Sequence, residues 1–230
     1  MSRNVMTLTM WMVFIRLISW ADTQASPWWT STRIESADFH ARRGPANNPY
    51  RSDARYVLRE LDLKAGDVVV DIGAGDGWWT SLMAEKVTKS GTVYAAEVEQ
   101  SQVDKMKRNF AGIKQIKPYQ CKFDSVQLLE NSCDLAFFSQ VYHHLGDANR
   151  VKYLKELTKV VKPVGRLCII ERYTLLGETP RAREHGTPFS RLAKEAEQAG
   201  WIPVRYQLIT GSNHYIALFV QKELFHRKQK

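Results

Sequence analysis

Val69-Val70-Asp71-Ile72-Gly73-Ala74-Gly75-Asp76-Gly77, running into Trp78-Trp79, is the stretch on which the reading of the fold turns. Residues 68–70 form a continuous β-branched run, the pattern of a strand buried on both faces. Glycines at a strand-to-helix turn permit positive φ and let a ligand approach the backbone closely. Helical sequence follows over 79–87. Gly73, Gly75 and Gly77 are spaced GxGxG, not the GxGxxG that cradles a pyrophosphate at a helix N-terminus. The carboxylate of Asp71 would sit poorly against a pyrophosphate. It suits a ligand with a cationic amino-acid portion, met directly or through water. The next strand, 92–97, ends in Glu97, which is placed for the two hydroxyls of a ribose.

Outward from this turn the chain alternates strand-like and helix-like segments. Upstream, Ala54, Val57, Leu58 and Leu61 have helical spacing behind Ser52 or Asp53 as a cap, and Lys64-Ala65-Gly66-Asp67 makes a turn. Downstream, residues 100–110 place Val103, Met106 and Phe110 on one helical face. Residues 116–120 and 134–139 read as strands, and 148–161 repeat Val151, Leu154, Leu157 and Val160 at helical spacing. Pro163-Val164-Gly165 ends that helix before a strand over 166–170. Thr187-Pro188 offers a cap and a first-turn proline for a further helix, closed by Gly200. Residues 202–209 and 215–221 are the last strands. Such alternation implies crossover connections and a mainly parallel sheet. The last pair is joined only by a short link around Gly211-Ser212-Asn213, which permits an antiparallel hairpin and no parallel crossover.

The 230 residues suffice for one α/β domain with a sizeable core, and 44% hydrophobic with 25% charged residues excludes wholesale disorder. The net charge of +9 is scattered, with one modest cluster at Lys222, Arg227, Lys228 and Lys230. It reads as solvated surface and a basic tail, not as a nucleic-acid footprint. Cys121, Cys133 and Cys168 have neither CxxC nor metal-ligand spacing and lie in or beside apolar runs, as buried thiols do. Residues 5–20 read VMTLTMWMVFIRLISW, with Arg3 ahead and no acid before Asp22. The apolar core at 5–15 is short for a bilayer span. The expectation is a secretory signal cleaved after Ala25, or a membrane anchor, with Arg16 interrupting the stretch. An interfacial helix using Trp11 and Trp20, or an organelle-targeting segment, are the other readings. The expected location is therefore secreted, periplasmic or membrane-anchored, with cytoplasmic or organellar as the alternative.

The Asp-x-Gly-x-Gly-x-Gly turn resembles motif I of the class I, seven-strand S-adenosylmethionine-dependent methyltransferases, and the likeness extends over residues 53–221. Asn131-Ser132-Cys133-Asp134-Leu135 resembles the family's lead into its fourth strand. Val161-Lys162-Pro163-Val164-Gly165-Arg166-Leu167 resembles its approach to the fifth, with Val164 in place of a usual glycine. The resemblance implies a Rossmann-like, mainly parallel seven-strand sheet with helices on both faces and a C-terminal antiparallel hairpin. It implies S-adenosylmethionine as cofactor. Gly73, Gly75 and Gly77 would then line the methionine part, with Asp71 near its amino group, Glu97 on the ribose and Asp124 near the adenine. A narrower likeness, through Gln140-Val141-Tyr142-His143-His144-Leu145, Ile170-Glu171-Arg172-Tyr173 and Glu184-His185-Gly186, points to a poorly characterised bacterial methyltransferase group whose members often carry signal-like N-termini. The organisation expected is a leader at 1–25, an irregular lead-in at 26–52, the methyltransferase domain at 53–221 and a basic tail at 222–230.

Methyl transfer from a sulfonium is an in-line displacement that needs positioning and a dry pocket, with a base only where the acceptor arrives protonated. Tyr142, His143 and His144 follow the fourth strand on the carboxyl edge, where open α/β sheets bind ligands. His143 is either a base or acceptor-orienting group, or a hydrogen-bonding member of the loop, and the second reading is favoured for His144. Glu171 ends the fifth strand on the same edge, and His185 can reach it from the following loop. The candidate catalytic set is thus His143, Tyr142, Glu171 and His185. Two imidazoles and a carboxylate also suit a metal, but no short-spacing motif supports one, and no metal is expected. Trp78 and Trp79 pack beside the cofactor or in the core. Arg42, Arg43, Arg181 and Arg183 are solubilising charges or contacts to an anionic acceptor.

Asn47-Asn48-Pro49-Tyr50 resembles the Asn/Asp-Pro-Pro-Tyr motif of amino-group methyltransferases, but it precedes the first strand, and Ser139-Gln140-Val141-Tyr142 stands where that motif is needed. The expected acceptor is a small or lipid-like molecule and not DNA adenine, with membrane association through the N-terminus. A non-catalytic cofactor-binding module and a dinucleotide-dependent oxidoreductase are the competing functions; Asp71 and the glycine spacing count against the second.

Overall fold

The computed structural model describes residues 54–174, 185–209 and 212–227. The expected leader and lead-in, the cap at Ser52 or Asp53, Arg42, Arg43, Arg181 and Arg183 lie outside those residues. Helix α1 (Ala54–Leu61) precedes strand β1 (Val68–Ile72), and α2 (Trp78–Val87) leads to β2 (Thr92–Glu97). Then come α3 (Gln100–Asn109), β3 (Ile116–Gln120) and β4 (Cys133–Ser139). A 3-10 turn at Tyr142–Leu145 leads into α4 (Asp147–Val160) and β5 (Val161–Arg172). The chain closes with α5 (Phe189–Gln198), β6 (Trp201–Leu208), β7 (His214–Gln221) and the short α6 (Lys222–Arg227).

The seven strands form one sheet in the order β3-β2-β1-β4-β5-β7-β6. Strands β1 to β5 pair in parallel, while β7 is antiparallel to both β5 and β6, so the expected C-terminal hairpin is present. From β1 the chain winds outward to β3 and returns to β4 on the other side. The carboxyl ends of β1 and β4 are therefore the switch point, where a crevice opens.

Alternation along the central strands builds two cores. Val69 of β1 with Leu135 and Phe137 of β4 point to the face covered by α1, α2 and α3, where Val57, Met83 and Met106 are fully buried. Val70 and Ile72 with Ala136 and Phe138 point to the opposite face, which Tyr153, Leu154 and Leu157 of α4 and Leu192 and Ala196 of α5 cover. Strands covered on both faces have no polar side to show, which is why these segments read as continuous apolar runs. Cys121, Cys133 and Cys168 are free and buried.

Several boundaries differ from the sequence reading for local reasons. Strand β5 starts at Val161, directly after α4, because Pro163-Val164-Gly165 is absorbed into a register irregularity: Val161 pairs with Cys133, and regular pairing resumes at Arg166 opposite Leu135. Helix α5 starts after Pro188, which occupies the cap position without any side-chain bond, and the Thr187 hydroxyl is buried with no partner among the described residues. The expected basic tail starts with α6, whose Lys222 N–H donates to the Gly200 carbonyl.

Candidate functional site

A cavity of about 480 Å³ lies at the switch point. One wall is the glycine turn and the end of β2. Gly73, Gly75 and Gly77 all have positive φ (68°, 56° and 78°), as the sequence requires. Gly77 starts α2, and a Cβ there would meet the Phe110 ring at 2.5 Å, so that glycine brings helix and neighbour together. A Cβ on Gly75 would have nothing within 4 Å, so there the bare backbone faces open space.

Glu97 ties this wall together. Its Oε2 accepts from the Gly75 N–H at 2.8 Å, and its Oε1 accepts from the Val98 and Glu99 N–H groups at 2.7 and 3.3 Å. It lines the cavity while only 8% exposed. Asp71 sits behind the turn: it is buried, its Oδ2 accepts from the Thr80 hydroxyl at 2.5 Å, and it is not among the cavity-lining residues. Burial pushes its carboxyl up to about 7, with the Thr80 bond opposing and the Glu97 and Asp76 charges reinforcing the rise. Asp124 lies apart from this wall. Lys122 and Ser125 bridge across a tight turn, which leaves Asp124 outside the cavity, 53% exposed and 3.9 Å from Lys152. Cys121, Lys122 and Phe123 line the cavity in its place.

The second wall is the segment after β4. Ser139, Gln140, Val141, His144 and Leu145 line it. The Ser139 hydroxyl is buried there with no hydrogen-bond partner among the described residues. Gln140 has φ 60°, a left-handed conformation rare for a residue with a side chain. His144, read from sequence as a loop residue, lines the cavity; burial first, and then the neighbouring His143, lowers its affinity for a proton.

Behind this wall stands a buried carboxylate–imidazole pair. Glu171, at the end of β5, has no exposed surface, and His143 Nδ1 lies 2.9 and 3.0 Å from its two oxygens. Glu171 also accepts from the backbone N–H groups of His143 (2.9 Å) and Arg172 (3.0 Å) and from Gln140 Nε2 (3.2 Å). An ionised carboxylate only accepts, so Nδ1 is the nitrogen that donates to it, and the neutral ring in that arrangement has its lone pair on Nε2. The rings of His144 and His185 lie 4.0 and 6.3 Å from that of His143.

Tyr142 is placed differently from its expected catalytic neighbours. It is fully buried, and its hydroxyl donates to Glu195 of α5 at 2.7 Å, so it fastens the 3-10 turn to α5. The buried Arg150 does similar work: one terminal nitrogen donates to the His143 carbonyl at 3.0 Å, another pairs with Asp147 at 3.2 Å, and the guanidinium lies over the Tyr142 ring. Sequence reading passed over Gln140 and Arg150 because each acts only through contacts made in the folded chain. Among the described residues no group of three His, Cys, Asp or Glu side chains is arranged to hold a metal.

Comparisons with known proteins agree with this fold. Residues 69–165 match the family profile described as a methyltransferase domain. A demethylmenaquinone methyltransferase from Lactobacillus johnsonii is 30% identical over 117 residues, 50% of this chain and 47% of that one. A ribosomal RNA large subunit methyltransferase E from Legionella pneumophila is 35% identical over 81 residues, 33% of this chain and 38% of that one. The chain thus spans less than half the length of these curated relatives. In three dimensions it shares the fold of a SAM-dependent methyltransferase from Aquifex aeolicus, at 24% identity and a TM-score of 0.66, over 78% of this chain and 95% of that one.

Proposed function

We propose that this chain, whose residues 69–165 match a methyltransferase-domain profile, is a class I methyltransferase that transfers a methyl group from S-adenosylmethionine to a small or lipid-like acceptor that arrives protonated, such as a hydroxyl or an acidic carbon. The observation that carries the proposal is that Gly73 and Glu97 face Gln140 and His144 in one cavity, with the buried His143–Glu171 pair bonded to Gln140 directly behind it.

The residues present fit the cofactor. Gly75 offers bare backbone to open space, Glu97 keeps acceptor capacity for ribose hydroxyls, and Ser139 has an unused buried hydroxyl. When bound, S-adenosylmethionine supplies a methyl group on a positively charged sulfur. The chain's own part is positional and protolytic. Glu171 holds His143 in one tautomer and orientation, and His143 Nε2 takes the acceptor's proton. Asp71, behind the glycine turn, supplies negative potential toward a cationic amino group. Tyr142 and Arg150 hold the turn that carries His143. His185, exposed at the outer side of the pair, is assigned to acceptor binding. The match to a demethylmenaquinone methyltransferase supports a small-molecule acceptor.

The test is transfer of labelled methyl from S-adenosylmethionine by the full chain to a panel of phenols, quinols and amines. Labelled phenols or quinols, with His143→Ala slower by roughly 10²- to 10⁴-fold, is the expected result. Labelling of amines alone, insensitive to His143, contradicts the base assignment. We further propose that residues 1–25 export or anchor the protein, supported by Arg3 and the apolar run after it. N-terminal sequencing of the mature protein, expected to start at Ser26 or to retain a membrane-bound leader, tests this; an intact soluble chain contradicts it.

A further inference from the structure

We infer that Gln140 is a positioning residue for the His143–Glu171 pair, held in a strained backbone conformation so that its amide reaches the buried carboxylate. Three observations converge on it. Its φ of 60° is left-handed, where a side chain meets the backbone and glycine is the usual occupant. Its backbone N–H donates to the Ile170 carbonyl at 2.9 Å, clamping the end of β4 to β5 one residue before Glu171. Its side-chain Nε2 donates to Glu171 Oε1 at 3.2 Å, while the residue itself lines the cavity.

The amide orientation follows from its partner, since a carboxylate accepts and cannot donate. A glycine at this position would have the preferred backbone and no amide. Strain held by a side chain at a site edge is expected where the side chain does something a relaxed residue cannot. What it does here is chemical. Glu171 Oε1 is shared between His143 Nδ1, the Arg172 N–H and the Gln140 amide, whereas Oε2 is taken by the His143 N–H and Nδ1. Removing the amide leaves Oε1 with two partners in place of three, and the carboxylate loses the side-chain contact that orients it from the cavity wall. Gln140 is therefore the link between the cavity wall and the pair behind it. The inference rests on the proposed methyl transfer only for its purpose, not for its geometry.

The experiment compares the full-length parent with Gln140→Gly and Gln140→Ala, following the His143 Nδ1–H proton by NMR, assigned by its loss in His143→Ala. Gln140→Gly relaxes the backbone, so its thermal midpoint is expected at or above the parent's. A residue with a structural role alone would then leave the Nδ1–H signal unmoved. The inference predicts that the signal shifts and that its exchange with water speeds by about tenfold or more, the effect of losing one hydrogen bond to a charged group. Gln140→Ala keeps the test decisive should the glycine loosen the strand end. An unchanged signal and exchange rate in either folded variant overturns the inference, as does a parent that shows no protected Nδ1–H. Titration of the parent with S-adenosylhomocysteine in the same samples separates the two readings. Absence of binding contradicts the proposed function while leaving the role of Gln140 intact.

Discussion

The two walls of the cavity are built by different means. The wall of the glycine turn and Glu97 is backbone brought against one carboxylate: three amides converge on Glu97, and Gly75 presents no side chain at all. The wall after β4 is held from behind by side chains reaching across the fold, with His143 to Glu171 spanning 28 positions and Tyr142 to Glu195 spanning 53. The first wall can hold a ligand common to a whole family, because backbone geometry changes little with sequence. The second can be altered residue by residue, as acceptor choice requires.

The sharpest way to break this contrast is to cut each wall separately. His143→Ala is expected to lower methyl transfer by roughly 10²- to 10⁴-fold. It should leave the affinity for S-adenosylhomocysteine within about twofold, since the ring is not among the cavity-lining groups. Calorimetry alongside the transfer assay checks both; an equal loss in both quantities would mean the walls are not independent.

Within the first wall, two glycines separate packing from ligand approach. Gly77→Ala places a Cβ 2.5 Å from the Phe110 ring at φ 78° and is expected to cost about 3 kcal/mol of stability. Gly75→Ala meets nothing in the protein and is expected to cost about 1 kcal/mol, from its backbone alone. It should nevertheless weaken cofactor binding. Chemical denaturation of both variants checks the order, and the reverse ranking contradicts the assignment of Gly75 to the ligand.

A third contrast concerns Asp71. Its carboxyl is raised from 3.8 to about 7, with burial as the first cause, so the folded state favours the protonated form. The stability this contributes is fully present below the unfolded value and is lost as pH rises through the folded one. Asp71→Asn is expected to flatten the stability curve between those two values. Over the same range the parent should bind a cationic ligand more tightly as Asp71 ionises. Denaturation and calorimetry across pH check the pair of slopes; parallel curves for parent and variant contradict the account.

The contrast between walls also explains what the sequence could tell. The sheet, its parallel core and the closing hairpin were legible, because buried strands such as 68–70 and the short link at 211–213 constrain their neighbours locally. The left-handed backbone of Gly73, Gly75 and Gly77 was legible for the same reason. The position of Asp124 outside the cavity was not legible, because a four-residue turn decides which of Phe123 and Asp124 faces inward, and no pattern marks that choice. His143 with Glu171 could be named as candidates from their positions at two strand ends. Gln140 and Arg150 could not, since their significance is a hydrogen bond to Glu171, 31 positions away, and a buried charge that meets the His143 carbonyl only in the folded turn.

The most direct test of the account is calorimetric titration of the full chain and its Glu97→Ala variant with S-adenosylhomocysteine. The account predicts saturable one-to-one binding by the parent, weakened by about 100-fold in the variant as charge-assisted bonds to the ribose are lost. A folded parent that binds nothing, or a variant that binds as tightly as the parent, would contradict it.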